Sequence, residues 1–180
     1  LGIDLAGGSM VNKKFFMTKK YICVDLDEKK LKKGINKFPD ALAINDKIEN
    51  YMRTYNQEKP DLLVCVQTMG INDKFDHDHI LIVIKMIYDL LKPGGSMIFN
   101  VGSYMVNLSL IEMELNKFFN KKFKSINIHS YGFMNKTVQK PNPYLEFFLA
   151  YLMNIFTPLR TCFGLEKKYI YCSLKKKLDL

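Results

Sequence analysis

Arginine is almost missing from this chain. It carries 27 basic and 18 acidic residues, a net charge of +9, yet only Arg53 and Arg160 are arginines. Surfaces built to grip phosphate use arginine forks beside lysine, and nucleic-acid surfaces add stacking aromatics between the charges. The excess lysine therefore reads as a solvated surface, and nucleic acid is not the expected partner. Paired cysteines are missing too. Cys23, Cys65, Cys162 and Cys172 form no C-x-x-C, which argues against a zinc site. Cys23 and Cys65 sit inside apolar runs and read as small core residues, which fits a reducing, cytoplasmic compartment. No apolar stretch is long enough to span a bilayer, no signal peptide is visible, and there is no internal repeat or low-complexity segment. An initiating methionine is also lacking, so a preceding segment, such as a substrate-covering helix, is expected.

What is present suits one soluble α/β domain. The 180 residues are 48% hydrophobic and 25% charged, enough to bury a real core. The first ten residues, Leu1-Gly-Ile-Asp-Leu-Ala-Gly-Gly-Ser-Met10, are an apolar run breaking into glycines. That pattern predicts a buried strand and a tight turn whose backbone can approach a ligand. A second apolar run, Tyr21-Ile-Cys-Val-Asp25, ends on a carboxylate. A glycine turn after strand one and an acid closing strand two is how nucleotide-type folds hold a ribose.

Taken in order, residues 9–19 predict a short helix with Phe15, Phe16 and Met17 on its apolar side. Glu28 to Gly34 is the next helix, with Leu31 inward and Gly34 as C-cap. Ala41 to Ile44 is a short strand, and Asp46 caps a helix carrying Ile48, Met52 and Tyr55. Asp61 to Val64 is strand four, and residues 67–77 form the loop after it. Asp78 caps a helix from Ile80 to Leu91, apolar almost all round and so expected to be well buried. Leu90-Leu-Lys-Pro-Gly-Gly-Ser-Met-Ile-Phe99 leads through a turn into strand five. Leu108 to Phe119 is helical, Lys124 to His129 is strand six and Lys168 to Leu174 is strand seven; the Lys-Lys-Lys tail reads as solvated.

The ordered set resembles the class I S-adenosylmethionine-dependent methyltransferases over about the first hundred residues. The carriers are Asp4-Leu5-Ala6-Gly7-Gly8-Ser9-Met10, Val24-Asp25-Leu26, Asn45-Asp46, Asp61-Leu-Leu-Val64 and Leu91-Lys-Pro-Gly-Gly95. Ala6 and Met10 stand where that family usually has glycine. The resemblance implies a three-layer sandwich around a seven-stranded, mostly parallel sheet with strand seven antiparallel. It implies S-adenosylmethionine as cofactor. Asp4 and the backbone of Ala6, Gly7 and Gly8 would line its methionine half, and Asp25 would accept the ribose hydroxyls. Leu26 would pack on the adenine, Asn45 and Asp46 would meet its amine, and Gln67 and Thr68 would complete the cofactor side. Residues 1–103 would be the cofactor half of a single domain and 104–180 the substrate side. Alternatives are a non-catalytic module of the same fold and a nucleotide-cofactor oxidoreductase.

Methyl transfer mainly requires two aligned reactants, so no obligatory catalytic residue is expected. His77, His79 and His129 are base candidates for the acceptor. The run Asp76-His77-Asp78-His79 hints at a metal, but neighbours on a helix point in different directions, so no metal is expected. The loop after strand four lacks the Asn/Asp-Pro-Pro-aromatic motif of enzymes that methylate base amino groups. Cys65 lacks the Pro-Cys context of enzymes that attack pyrimidine carbon. A small-molecule acceptor is thus expected. Between strands six and seven, residues 134–166 read as a helical lid. Its residues 144–156 align Leu145, Phe148, Leu149, Leu152 and Phe156 on one face, with Phe147 and Tyr151 left over. The surplus suits a partly apolar acceptor or a homodimer contact.

Overall fold

Short apolar runs become strands wherever helices can cover both their faces. A computed structural model describes residues 1–70, 76–102, 106–119, 123–131 and 169–177. Its strands are β1 (Gly2–Leu5), β2 (Tyr21–Asp25), β3 (Leu42–Asn45), β4 (Leu62–Met69), β5 (Ser96–Gly102), β6 (Phe123–Tyr131) and β7 (Tyr169–Lys176). β1 is buried at every position and β2 at all but its last, the continuous burial of central parallel strands. The sheet order is β3-β2-β1-β4-β5-β7-β6. Pairing is parallel from β3 through β5 and antiparallel on both sides of β7, so among the described strands β7 alone is reversed.

The period of two along β1 and β2 splits their side chains between two cores. Ile3, Leu5, Ile22 and Val24 face α2 (Ile48–Thr54), α3 (His77–Leu90) and α4 (Leu108–Phe119), which supply Met52, Ile80, Ile84, Ile111 and Leu115 among others. Tyr21 and Cys23 face the other way, with Met10, Ala41 and Leu31 of α1 (Glu28–Lys37). This is the expected α/β/α sandwich. Each large apolar side chain so buried contributes about 1.5–3 kcal/mol before chain entropy is charged against it.

Several local expectations are corrected. Residues 9–19 hold only a single 3-10 turn, Lys13–Phe15. Phe16 packs edge-on against Tyr21, while Phe15 and Met17 are exposed. α1 runs past Gly34 to Lys37, and Asp27 caps it by accepting the Lys30 N–H at 3.0 Å. Gly34 is interior because its face meets Met10: a Cβ there would lie 2.7 Å from Met10 Cγ. Asp46 precedes the cap of α2 and accepts the Lys47 N–H at 2.7 Å. β4 continues to Met69 through an irregularity after Cys65, so Gln67 and Thr68 are strand rather than loop. Asp76, not Asp78, caps α3, accepting the His79 N–H at 2.8 Å. α3 is not buried all round, since Ile82 is exposed.

The lysine tail is not simply solvated either. Lys176 is buried, and its ammonium donates to the carbonyls of Tyr88 (3.1 Å) and Leu91 (2.9 Å) at the end of α3. It also lies over the Tyr88 ring. A cation there satisfies carbonyls that the helix leaves open and meets the negative end of its dipole. The predicted lid, residues 134–166, and Cys162 lie outside the described residues, as do the side chains of Gln67 and His129. Among the described residues no helix is long and apolar enough to cross a membrane.

Candidate cofactor site

β1 and β4 are neighbours although two strands separate them in sequence, so successive connections diverge from this point. Open α/β sheets bind ligands in the crevice that such a divergence leaves at the carboxyl ends of the strands. The glycine turn, residues 6–10, lies there. Ala6 (φ 56°), Gly8 (φ 53°) and Met10 (φ 60°) are all left-handed. The turn thus keeps a glycine-type backbone at two non-glycine residues, at about 1–2 kcal/mol each. Packing compensates at Met10, which is fully buried on Gly34. Ala6 has the smallest side chain that carries a Cβ, and its N–H donates to the Val24 carbonyl at 2.7 Å. Gly7 cannot be larger, because a Cβ would sit 2.6 Å from Asp4 Oδ2 and 2.7 Å from Cys23 Sγ.

Asp4 is wholly buried beneath this turn. The Tyr21 hydroxyl donates to its Oδ2 at 2.8 Å, and the Asn12 amide approaches both oxygens at 3.3–3.4 Å. Burial pushes the Asp4 carboxyl up to about 6, against the pull of those two donors, with Asp25 adding a smaller push in the same direction. Burial, then the charge of Asp4, raises Tyr21 well above its usual range. Cys23 is pushed up to about 12 by burial, then by Asp4 and Asp25, so it is no thiolate nucleophile at neutral pH. Asp4 supports the turn from below. Tyr21 and Asn12 were the residues missed in this support. Only Tyr21 had a signal, as the diagonal neighbour of Asp4 in the parallel register.

Asp25 faces the turn from the end of β2. Its Oδ2 accepts the Gly8 N–H and its Oδ1 the Asp27 N–H, both at 2.8 Å. A carboxylate has about four acceptor positions, so each oxygen keeps one for a further donor. Leu26, next in the chain, is 55% exposed, an apolar surface beside an anionic one. The Asn45 amide donates to the carbonyls of Asp25 and Leu26, both at 3.0 Å, and fixes this corner. Asp46 also accepts from the Asn50 side chain.

The three histidines do not form a cluster. His79 Nε2 meets the Glu49 carboxylate, pinning the first turns of α3 and α2 together. Sequence gave no hint of this pair, thirty positions apart. His77 is half-buried, and its Nδ1 has no hydrogen-bond partner among the described residues. His129 lies on β6, the far edge strand, at the register position opposite Tyr171. Thr68 turns its hydroxyl to the Val66 carbonyl. Among the described residues no three of His, Cys, Asp and Glu gather to hold a metal, and Cys23, Cys65 and Cys172 are free and buried.

No protein-family model matches the chain, and no curated protein matches its sequence. Solved structures do match its fold. The plantazolicin methyltransferase BamL, in complex with a triazolic desmethylPZN analog and SAH, superposes with a TM-score of 0.61 at 12% identity, over 97% of this chain and 76% of that one. The N-methyltransferase NodS from Bradyrhizobium japonicum WM9 gives 0.60 at 9% identity, over 98% and 85%. An rRNA methylase from Streptococcus thermophilus gives 0.57 at 15% identity, over 98% and 86%. With its strand order, its single reversed strand and its glycine turn at the divergence of β1 and β4, this chain has the class I S-adenosylmethionine-dependent methyltransferase fold.

Proposed function

We propose that the protein transfers a methyl group from S-adenosylmethionine to a small-molecule acceptor with an apolar part. The observation that supports the cofactor part of this reading is the pairing of Gly8 with Asp25 at the glycine turn. It sets a backbone able to approach a ligand against a carboxylate with two acceptor positions to spare. The residues present fit the cofactor. Asp25 would accept two vicinal hydroxyls, and Leu26 would cover one face of a purine. Asp46 and Asn45 would border its edge, and the turn from Ala6 to Gly8 would hold the amino-acid end. The cofactor would supply an electrophilic methyl on a sulfonium and a neutral thioether leaving group. The chain's own part is to bind, orient and exclude water. His77, at the start of α3, is the preferred base for an acceptor that must lose a proton; its Nδ1 is buried, so the acceptor would have to reach the ring at its other nitrogen.

The reversed β7 speaks against the oxidoreductase alternative, since dinucleotide-binding sheets of this order continue in parallel. Calorimetry with S-adenosylhomocysteine and with a nicotinamide dinucleotide tests the reading: the first should bind and the second should not. Dinucleotide binding alone would replace it with the oxidoreductase. Binding of neither would leave a module without this cofactor. Asp25→Asn is the milder variant: it keeps one acceptor oxygen but turns an amide donor toward the other backbone N–H, whereas Asp25→Ala releases both. Asp25→Asn should weaken S-adenosylhomocysteine by about 1.5–3 kcal/mol, the worth of a charge-assisted bond.

A further inference from the structure

The connection between β1 and β2 has an outward side that the core does not use. Phe16 turns inward onto Tyr21, and Met10 turns inward onto Gly34. Their chain neighbours point out: Val11 is 60% exposed, Phe15 69% and Met17 fully. Phe15 ends the 3-10 turn, Phe16 follows it in extended backbone, and Phe15 and Met17 on either side of it are both left outside the core. α1 continues this surface, because Lys13 pairs with Asp40 at 2.8 Å just beyond the helix and its ammonium lies near the Phe38 ring. Residues 11–40 contain nine lysines and four acids, and nine minus four leaves +5, more than half of the chain's +9. Lys14, Lys19, Lys20, Lys29, Lys33 and Lys37 are exposed and have no ion-pair partner among the described residues.

We propose that this face docks on an anionic lipid surface, with Val11, Phe15 and Met17 entering the headgroup boundary and the lysines meeting lipid phosphates. Protruding apolar groups ringed by lysine are what interfacial binding uses, through buried apolar area plus attraction to anionic headgroups. A solvated lysine surface would need none of the three apolar groups. The stretch does place lysines beside phenylalanines, Lys13-Lys14-Phe15-Phe16 and Lys37-Phe38, so the lysine excess here is not merely a solvated surface. Two observations still favour lipid over nucleic acid. Val11 and Met17 are aliphatic and give no stacking platform, and the face contains no arginine.

The test is co-sedimentation with vesicles of phosphatidylcholine, alone or mixed with phosphatidylglycerol. The protein should bind only the mixed vesicles, and added salt should weaken binding. Val11→Ser/Phe15→Ser/Met17→Ser should bind about a hundredfold more weakly, while its thermal melt stays near the parent's because these groups are exposed. Lys19→Glu/Lys20→Glu should weaken binding at low salt without touching an apolar group. Equal binding to both vesicle types would overturn the proposal, as would a triple-serine variant that binds like the parent. So would single-stranded RNA that binds more tightly than the vesicles and displaces them.

Discussion

Asp4 makes stability depend on pH in a direction opposite to that of most carboxylates. Its side chain is fully buried, and burial outweighs the donors Tyr21 and Asn12, so the folded-state value rises from 3.8 to about 6. Between those values the folded chain holds a proton that the unfolded chain has released. The slope of unfolding free energy with pH follows the protons bound in the unfolded minus the folded state, so here it is negative. The contribution is fully present below pH 4 and lost as pH rises through 6. The whole shift corresponds to about 3 kcal/mol at about 1.4 kcal/mol per unit. Between pH 7 and pH 5 the gain on acidification should be about 1.3 kcal/mol. Tyr21 stays protonated throughout, its own value being raised, so it adds no slope. Asp4→Asn removes the titration while keeping the shape, and Asn12 can turn its amide to face the new donor. Urea unfolding of parent and variant at both pH values isolates the effect, because the other groups titrate alike in both and cancel. The parent should gain about 1.3 kcal/mol on the variant as pH falls. Parallel slopes, or a parent that loses ground in acid, would refute the reasoning and mean that Tyr21 and Asn12 overcome burial.

Other substitutions probe the turn and the helix end. Ala6→Gly should stabilise by about 0.5–1 kcal/mol in thermal or urea unfolding, since relief of a left-handed residue exceeds glycine's entropy cost. Gly7→Ala should disrupt the turn against Asp4 and abolish S-adenosylhomocysteine binding in calorimetry, with a smaller loss of melting temperature. Lys176→Met keeps the apolar stem but gives up two charge-assisted bonds, and should cost about 3–6 kcal/mol in urea unfolding.

The three layers and the reversed seventh strand were legible through the family resemblance that the acid-closed second strand and the Pro93-Gly94-Gly95 turn carry, whereas the order of the strands in the sheet was not read. What failed was local and turned on contacts between distant residues. Phe15, Phe16 and Met17 look alike in sequence, yet only the middle one packs against the core, edge-on to Tyr21. Gly34 has the composition of a helix cap, but its absent Cβ serves Met10, twenty-four positions earlier. Asp76 and Asp78 are both good caps, and only the backbone geometry selects Asp76. Ala6 and Met10 break the expected glycine pattern in residue type while their φ angles keep it. Asp4 showed its place on strand one but not its depth, which depends on Tyr21 and Asn12 closing over it.

The position of β7 has a consequence for synthesis. Among the described strands it is the last in sequence, yet it lies between β5 and β6 and is the only one of them to which β6 is paired. While the chain emerges from the ribosome, β1 to β5 can assemble, but β5 then ends the sheet with its backbone groups unpaired and β6 has nowhere to attach. Such an edge invites pairing with another nascent chain. Entry of β7 closes it in one step and brings Lys176 onto the end of α3, eighty-five positions from Leu91. A ribosome pausing before that strand is released should therefore leave an aggregation-prone five-stranded intermediate for a chaperone to hold.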